Sequence, residues 1–250
     1  MNLATHREDI YTQVLSTILV HFLKCRKLEL IENSIINNSA VSNYEDYIYN
    51  EVVSKEMGDF NDCILNIIKS NGNLQIDAIN TRNPRGVRNI VSIIIVSADH
   101  TDFKKNLKNL INNIDKENKL DECIIIIDKN QFDKKSFIDF ILELKHGEIF
   151  KDIAGSMAIY NAYPIQIFQI NVPQSICVSE HTILSEEEVA RDFAPERLRH
   201  KNIKPIFLYD PMVIWIGGKP DDVIQIIRHS HSALKSVEFR IVKNGIYTPL

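Results

Sequence analysis

A chain of 250 residues, 44% hydrophobic and 25% charged, has the balance of a globular protein with a sizeable core, in one large domain or two small ones. Its formal net charge of -4 provides no bulk field for nucleic acid, so any such contact must be a local patch. Four widely spaced cysteines without a C-x-x-C pair argue against a zinc site or disulfide framework and fit a reducing compartment, and neither an apolar signal core at the N-terminus nor a run near the roughly 20 residues of a membrane span is visible.

In chain order, Thr5-x-x-Glu8 has the form of a capping box, and Ile10, Val14, Ile18 and Phe22 recur at helical spacing, predicting a first helix to about Glu29. Two further helices are expected near Tyr44 to Met57 and Asp59 to Ser70. A short strand, Leu74 to Ile79, is ended by T-R-N-P-R-G-V-R. Ile90 to Ser97 is β-branched and reads as a central strand, followed by a helix capped by Thr101 or Asp102 with Phe103, Leu107, Leu110 and Ile114 on one face. Cys123 to Asp128 is a second buried strand, Ser136 to Lys145 a helix with Phe137, Phe140, Ile141 and Leu144 inward, and Tyr163 to Ile170 a further strand. The first two-thirds is therefore expected to be a compact α/β layer. Its join with the last third falls near Asn171 to Ser179, where Pro173 and polar residues coincide.

The most informative stretch is Pro205 to Val242. Asp210-Pro211 is expected to start a turn, because proline presets φ and pushes the preceding residue to extended geometry. Gly217-Gly218 can take positive φ where the chain reverses. Val223 to Ile227 reads as a strand buried on both faces, and Val237, Phe239 and Ile241, alternating with Glu238, Arg240 and Lys243, as a half-exposed one.

Ile206, Asp210, Pro211, Gly217, Asp222, Val223, Ile226, Arg228, Ser230, Ala233, Arg240 and Val242 fall without a gap at the spacings of I-x-x-x-D-P-x-x-x-x-x-G-x-x-x-G-[DQ]-V-x-x-I-x-R-x-S-x-T-A-G, then Y-R-x-V. This pattern resembles the C-terminal domain of the fifth-largest subunit shared by the eukaryotic nuclear RNA polymerases, a family that includes an archaeal counterpart. Upstream, V-S-E-H-T-I-L-S-E-E-E-V (Val178 to Val189) is similar to the family's V-P-x-H-x-x-L-S-x-E-E. The chain departs from the pattern at the second glycine, here Asp221, at the Thr-Ala-Gly turn, here Ser232-Ala233-Leu234, at Phe239 for tyrosine, and at Pro205 for a common arginine. The turn between the last two strands is therefore expected to have a different shape.

The resemblance implies an α/β jaw domain at 1–171, nuclease-like in fold with helices around a mostly central sheet, and a small α+β assembly domain with a mixed sheet at 172–250. The archaeal counterpart lacks the jaw, which points to a eukaryotic or viral relative. The implied protein is a non-catalytic subunit of a multisubunit DNA-dependent RNA polymerase that docks on the largest subunit and helps form the downstream-DNA jaw. No cofactor is expected in this chain; magnesium and zinc would belong to other subunits. The expected partners are the largest subunit and the rest of the polymerase, downstream double-stranded DNA and transcription regulators, with no membrane. Richness in isoleucine and asparagine, the extra length and the loosened motif lean towards a large DNA virus, and hence to a viral factory in host cytoplasm and to the virion, with the nucleus as the alternative.

Several residues carry site hypotheses. His181, Asp210, Pro211, Arg228 and Arg240 are subunit-interface candidates, whereas Leu184, Ser185, Glu188, Gly217, Asp222 and Val223 are expected to fold the domain. Ser185-Glu186-Glu187-Glu188 looks acidic enough for a metal, but a helix N-terminus explains it: Ser185 caps and Glu188 reaches back. His229 and His231 form an H-x-H pair with no visible third ligand, so a solvated loop is the simpler reading. Arg82, Arg85 and Arg88 surround Asn83-Pro84 and Gly86 in one loop and are DNA-contact candidates, since guanidinium matches phosphate bidentately; a solvated loop is the equal alternative. Lys104, Lys105 and Lys108 read as the soluble face of a helix. The competing reading is a free-standing nucleic-acid-processing protein, whose nuclease-like metal site would need Asp77 with Asp102-Phe103-Lys104; Asp102 falls at a helix start, where capping explains it.

Overall fold

The computed structural model describes residues 10–11, 13–31, 68, 73–82, 89–97, 103–114, 120–145, 158–193, 203–230 and 234–244. The chain divides into two units, Met1–Ile170 and Asn171–Leu250. The Thr5/Glu8 capping box, nearly all of the helices expected over 44–57 and 59–70, the caps at Thr101 and Asp102, and Arg85 and Arg88 lie outside the described residues.

Isoleucine-rich segments become the centre of the first unit. Strands β1 (Leu28–Leu30), β2 (Asn73–Asn80), β3 (Ile90–Val96), β4 (Leu120–Ile127) and β5 (Ile159–Pro164) form one mixed sheet in that order. The β1/β2 and β2/β3 pairs are antiparallel; β3/β4 and β4/β5 are parallel. Ile93, Ile94 and Ile95 of β3 and Ile124 to Ile127 of β4 are fully buried, as strands covered on both faces require. Helix α1, described continuously over residues 13–26, has its middle, Ile18–Phe22, wound as a π-helix. It buries Val14, Leu15, Ile18, Leu19, Phe22 and Leu23, and the Phe22 ring meets Phe168 edge-on at 5.1 Å. Helix α2 (Phe103–Ile114) buries Leu107 and Ile111, and α3 (Lys129–Phe132) and α4 (Lys135–Lys145) bury Phe132, Phe137, Phe140 and Ile141.

One polar cluster is built into this apolar interior. Arg26, in the last turn of α1, places Nη1 2.6 Å from Glu122 Oε2 on β4, and its guanidinium lies 5.0 Å from the Phe22 ring centroid. Asn161 on β5 donates from Nδ2 to the other carboxylate oxygen, Oε1, at 2.9 Å. All three residues are less than 9% exposed.

Two expectations for this unit are corrected. The first helix stops at Arg26 instead of Glu29, because Lys27 turns left-handed (φ 57°) and Leu28–Leu30 pair with β2 as a strand. The strand expected at Tyr163 to Ile170 is instead Ile159–Pro164. Beyond Pro164, whose ring lacks an N–H, the chain tightens into a 3₁₀ turn, Ile165–Phe168.

In the second unit β6 (Glu180–Ile183), β7 (Lys204–Phe207), β8 (Val223–Ser230) and β9 (Leu234–Lys243) form a mixed sheet in the order β6-β8-β9-β7. The β6/β8 and β8/β9 pairs are antiparallel and β7/β9 is parallel. Helix α5 (Glu186–Asp192) follows β6, and helix α6 (Pro211–Ile216) buries Met212, Val213, Ile214, Trp215 and Ile216. The turn expected at Asp210-Pro211 is thus the start of a helix, since Pro at the first helical position loses no hydrogen bond. The alternation expected on β9 is also corrected: exposure falls along the strand, from Val237 at 51% to Ile241 and Val242, which are both buried.

Candidate assembly surface and basic loop

The matched motif divides into residues that hold the second sheet and residues left on its surface. Leu184 N donates to Val223 O at 2.9 Å, extending the β6/β8 pairing. Next, Ser185 Oγ accepts from Glu188 N (3.2 Å) while Glu188 Oε2 accepts from Ser185 N (2.8 Å), a complete capping box with no need of a metal. Asp210 Oδ1 accepts from Met212 N at 2.9 Å and caps α6. Gly217 ends that helix with φ 73°, where a glycine costs nothing. Gly218 lies so close to helix α6 that a Cβ there would sit 2.8 Å from Val213 Cγ1. Asp222 Oδ2 accepts from Lys219 N at 2.7 Å, and its carbonyl accepts from Val242 N, so this loop clasps the end of β9. Val223 is buried beside it. His181, opposite Ile226 on β6, donates from Nδ1 to Ser179 O at 2.7 Å.

The backbone at the two lost glycines is informative. Asp221 has φ 72° and Leu234 φ 58°, both left-handed. The chain therefore takes left-handed backbone at both positions where its sequence departs from the family's glycines, while residues 231–233 of the turn between the last two strands lie outside the described residues. Left-handed backbone costs a non-glycine residue about 1–2 kcal/mol. Leu234 is 83% exposed and buries nothing to compensate. Leu234→Gly is expected to raise the unfolding free energy of the second unit by about 1 kcal/mol, seen as a higher denaturant midpoint with an unchanged slope; Asp221→Gly should give less, because its carboxylate pairs with Lys243 Nζ at 2.5 Å.

What remains on the surface is a ladder of charges. Glu238 on β9 accepts from Arg240 Nη2 at 2.7 Å and lies 3.4 Å from Arg228 Nη2 on β8. Arg240 Nη1 also donates to Pro205 O at 3.3 Å, while its Nε is buried without a hydrogen-bond partner in the structure. One carboxylate between two guanidinium groups leaves a net positive charge and spare donors. Sequence reasoning singled out both arginines but missed Glu238, although the β9 alternation placed it on their face. His229 is exposed opposite Lys235, His231 lies outside the described residues, and no group of three metal-ligating side chains occurs among the described residues.

In the first unit Arg82 is exposed just beyond β2, its N–H donating to Asn80 Oδ1 at 3.1 Å. It lies near Cys25: burial pushes that thiol above its ordinary value, and the charges of Arg82 and Arg26 pull it part of the way back. Asp77 accepts from Gln75 Nε2 at 3.0 and 2.8 Å and from the Ser92 hydroxyl, so its carboxylate is held within the sheet. Cys123, across from Ser92 on β4, is fully buried, and that burial, with Glu122 and Asp77 nearby, raises its thiol far out of the reactive range.

Comparison with known proteins bears on the family. The family model described as RNA polymerase Rpb5, C-terminal domain, matches residues 170–242. A DNA-directed RNA polymerase RPB5 homolog of a tick isolate of African swine fever virus is 27% identical over 235 residues, 92% of this chain and 96% of its own length. The homolog from a Malawi isolate is 30% identical over 158 residues, 61% of this chain and 73% of its own. The subunit Rpo5 of the archaeon Thermococcus kodakarensis is 38% identical over 74 residues, 30% of this chain and 90% of that protein. A capped, clasped motif at the family's spacings, likeness to nearly the whole of a viral homolog and likeness to nearly the whole of an archaeal one lead to one conclusion: this chain belongs to the RPB5 family of DNA-directed RNA polymerase subunits, in a form like that of large DNA viruses.

Proposed function

We propose that this chain is the RPB5-type, non-catalytic subunit of a viral multisubunit RNA polymerase. In this reading residues 171–250 dock on the largest subunit, and residues 1–170 form a jaw of nuclease-like layering that helps hold downstream double-stranded DNA. The observation that carries it is likeness along 92% of the chain to a viral protein named as an RPB5 homolog. The Arg228–Glu238–Arg240 ladder supports the docking surface, since one carboxylate between two guanidinium groups leaves a net positive charge and spare donors, above all on exposed Arg228. His181 and Asp210-Pro211 act at that surface by shaping it, as both spend their polar atoms within the fold. Arg82, Arg85 and Arg88 are the candidate contacts to DNA. Magnesium and zinc belong to other subunits, transcription regulators engage the jaw, and the complex works in viral factories of host cytoplasm and is carried in the virion.

The test is recovery of the tagged full-length chain from infected cells, with the co-purifying proteins identified by mass spectrometry. Both large polymerase subunits are expected in amounts matching the bait, with no magnesium-dependent DNA cleavage by the purified chain and no effect of Asp77→Ala. Bait recovered without them, together with cleavage that Asp77→Ala abolishes, would restore the free-standing nuclease-like protein.

A further inference from the structure

We propose that Leu234, at the tip of a two-stranded arm of the second unit, is an apolar knob that seats in a pocket of the polymerase subunit on which this chain docks. The knob presupposes the subunit reading and names one contact within it.

The sheet pairing creates the arm. β6 runs beside β8 only as far as Ile227, and β7 runs beside β9 only from Arg240 onward. Three further β8/β9 pairs, Arg228↔Ser236, His229↔Lys235 and Ser230↔Leu234, have no third strand beside them among the described residues. At about 3.4 Å per residue this ribbon projects roughly 10 Å past the last residue that β6 pairs. Arg228, His229 and every residue from Leu234 to Val237 are exposed. A ribbon of two strands, bare on both faces, is marginal by itself in water.

Leu234 is held at the end of this arm against two costs. Its backbone is left-handed at φ 58°, which a side chain disfavours, and its side chain is 83% exposed. Asp221, the other non-glycine residue with positive φ among the described residues of this unit, is compensated inside the chain by its pair with Lys243. Leu234 has no such return in the free chain. The family pattern has glycine at this place, which avoids both costs. The leucine therefore supplies what glycine cannot, an apolar side chain, and strain kept at an exposed position points to use there. A family member with glycine cannot make the contact, so the knob gives this chain a preference for a polymerase whose surface carries the matching pocket.

The setting identifies the occupant's chemistry. Arg228, one of the charge ladder's guanidinium groups, stands two residue pairs back along the same ribbon, so knob and ladder are continuous. An apolar centre with a charged rim is the make-up of a protein–protein contact. A phosphate backbone has no pocket for a leucine side chain.

The test sets tagged full-length variants against untagged wild-type chain in infected cells. Polymerase is recovered through its largest subunit, and the share of each chain in it is read by mass spectrometry. Leu234→Gly is expected to enter at least about tenfold less often, the loss of one buried leucine side chain. Because that variant is expected to be the more stable chain, misfolding cannot account for the deficit. Leu234→Met keeps an apolar side chain of similar volume and should enter within about twofold of wild type. Hydroxyl-radical footprinting should find Leu234 reactive in the free chain and protected in the polymerase. Equal entry of Leu234→Gly, or a Leu234 as reactive in the polymerase as outside it, would overturn the knob and leave the subunit reading intact. Protection of Leu234 in the free chain at high concentration would make the occupant a second copy and overturn it too. Wild type that never enters the polymerase removes the subunit reading, and the knob with it.

Discussion

Glu122→Ala is expected to destabilise the first unit by about 3–5 kcal/mol, the cost of leaving a buried charge without its partner. The substitution deletes the acceptor of both Arg26 Nη1 and Asn161 Nδ2, and neither donor has ready access to water at this depth. The loss should appear in equilibrium denaturation of the full-length chain as an early transition confined to the first unit. The double variant Arg26→Met, Glu122→Leu is the informative control. It removes both charges and keeps the volume, and apolar replacements of buried ion pairs are often neutral or stabilising. Most of the loss should therefore be recovered. If the double variant is as unstable as the single one, the cluster's value lies in its shape and not in paired charge.

Trp215→Ala should have an effect of similar size on the second unit. Trp215 is fully buried in α6, and emptying such a site costs about 3–5 kcal/mol. A unit of 80 residues has only about 4–12 kcal/mol in total. Hydrogen exchange resolved by segment should show β8 and β9 exchanging much faster while β3 and β4 keep their protection, and the chain should no longer co-purify with the large polymerase subunits. Trp215→Phe, which keeps most of the packed volume, should lose far less. Retained co-purification by the alanine variant with an exchanging β8 and β9 would place the docking surface outside the second unit.

The parts of the fold that are legible in the sequence are those governed by local rules. Runs such as Ile93 to Ile95 and Ile124 to Ile127 announce buried strands because few other environments suit them, and Ser185 with Glu188 announces a helix start because their hydrogen bonds span only three residues. Sequence reasoning errs where one short signal serves two structures: Asp-Pro opens a turn or a helix, and only the burial of Met212 to Ile216 decides between them. The Arg26–Glu122 pair is invisible there because its members stand 96 residues apart and each resembles an ordinary surface charge. At the two lost glycines the sequence misleads about φ, because it shows the substituted side chain and not the backbone that accepts it.

Pro205, which stands where the family commonly has arginine, has a last consequence. β7 forms the rim of the second sheet, and an open rim invites other chains to add strands of their own, growing ribbons. Pro205 interrupts that template because it can offer no amide hydrogen to an incoming strand, and exposed Lys204 beside it repels a like copy. The rim of this sheet is thereby a poor template for strand addition by a second copy.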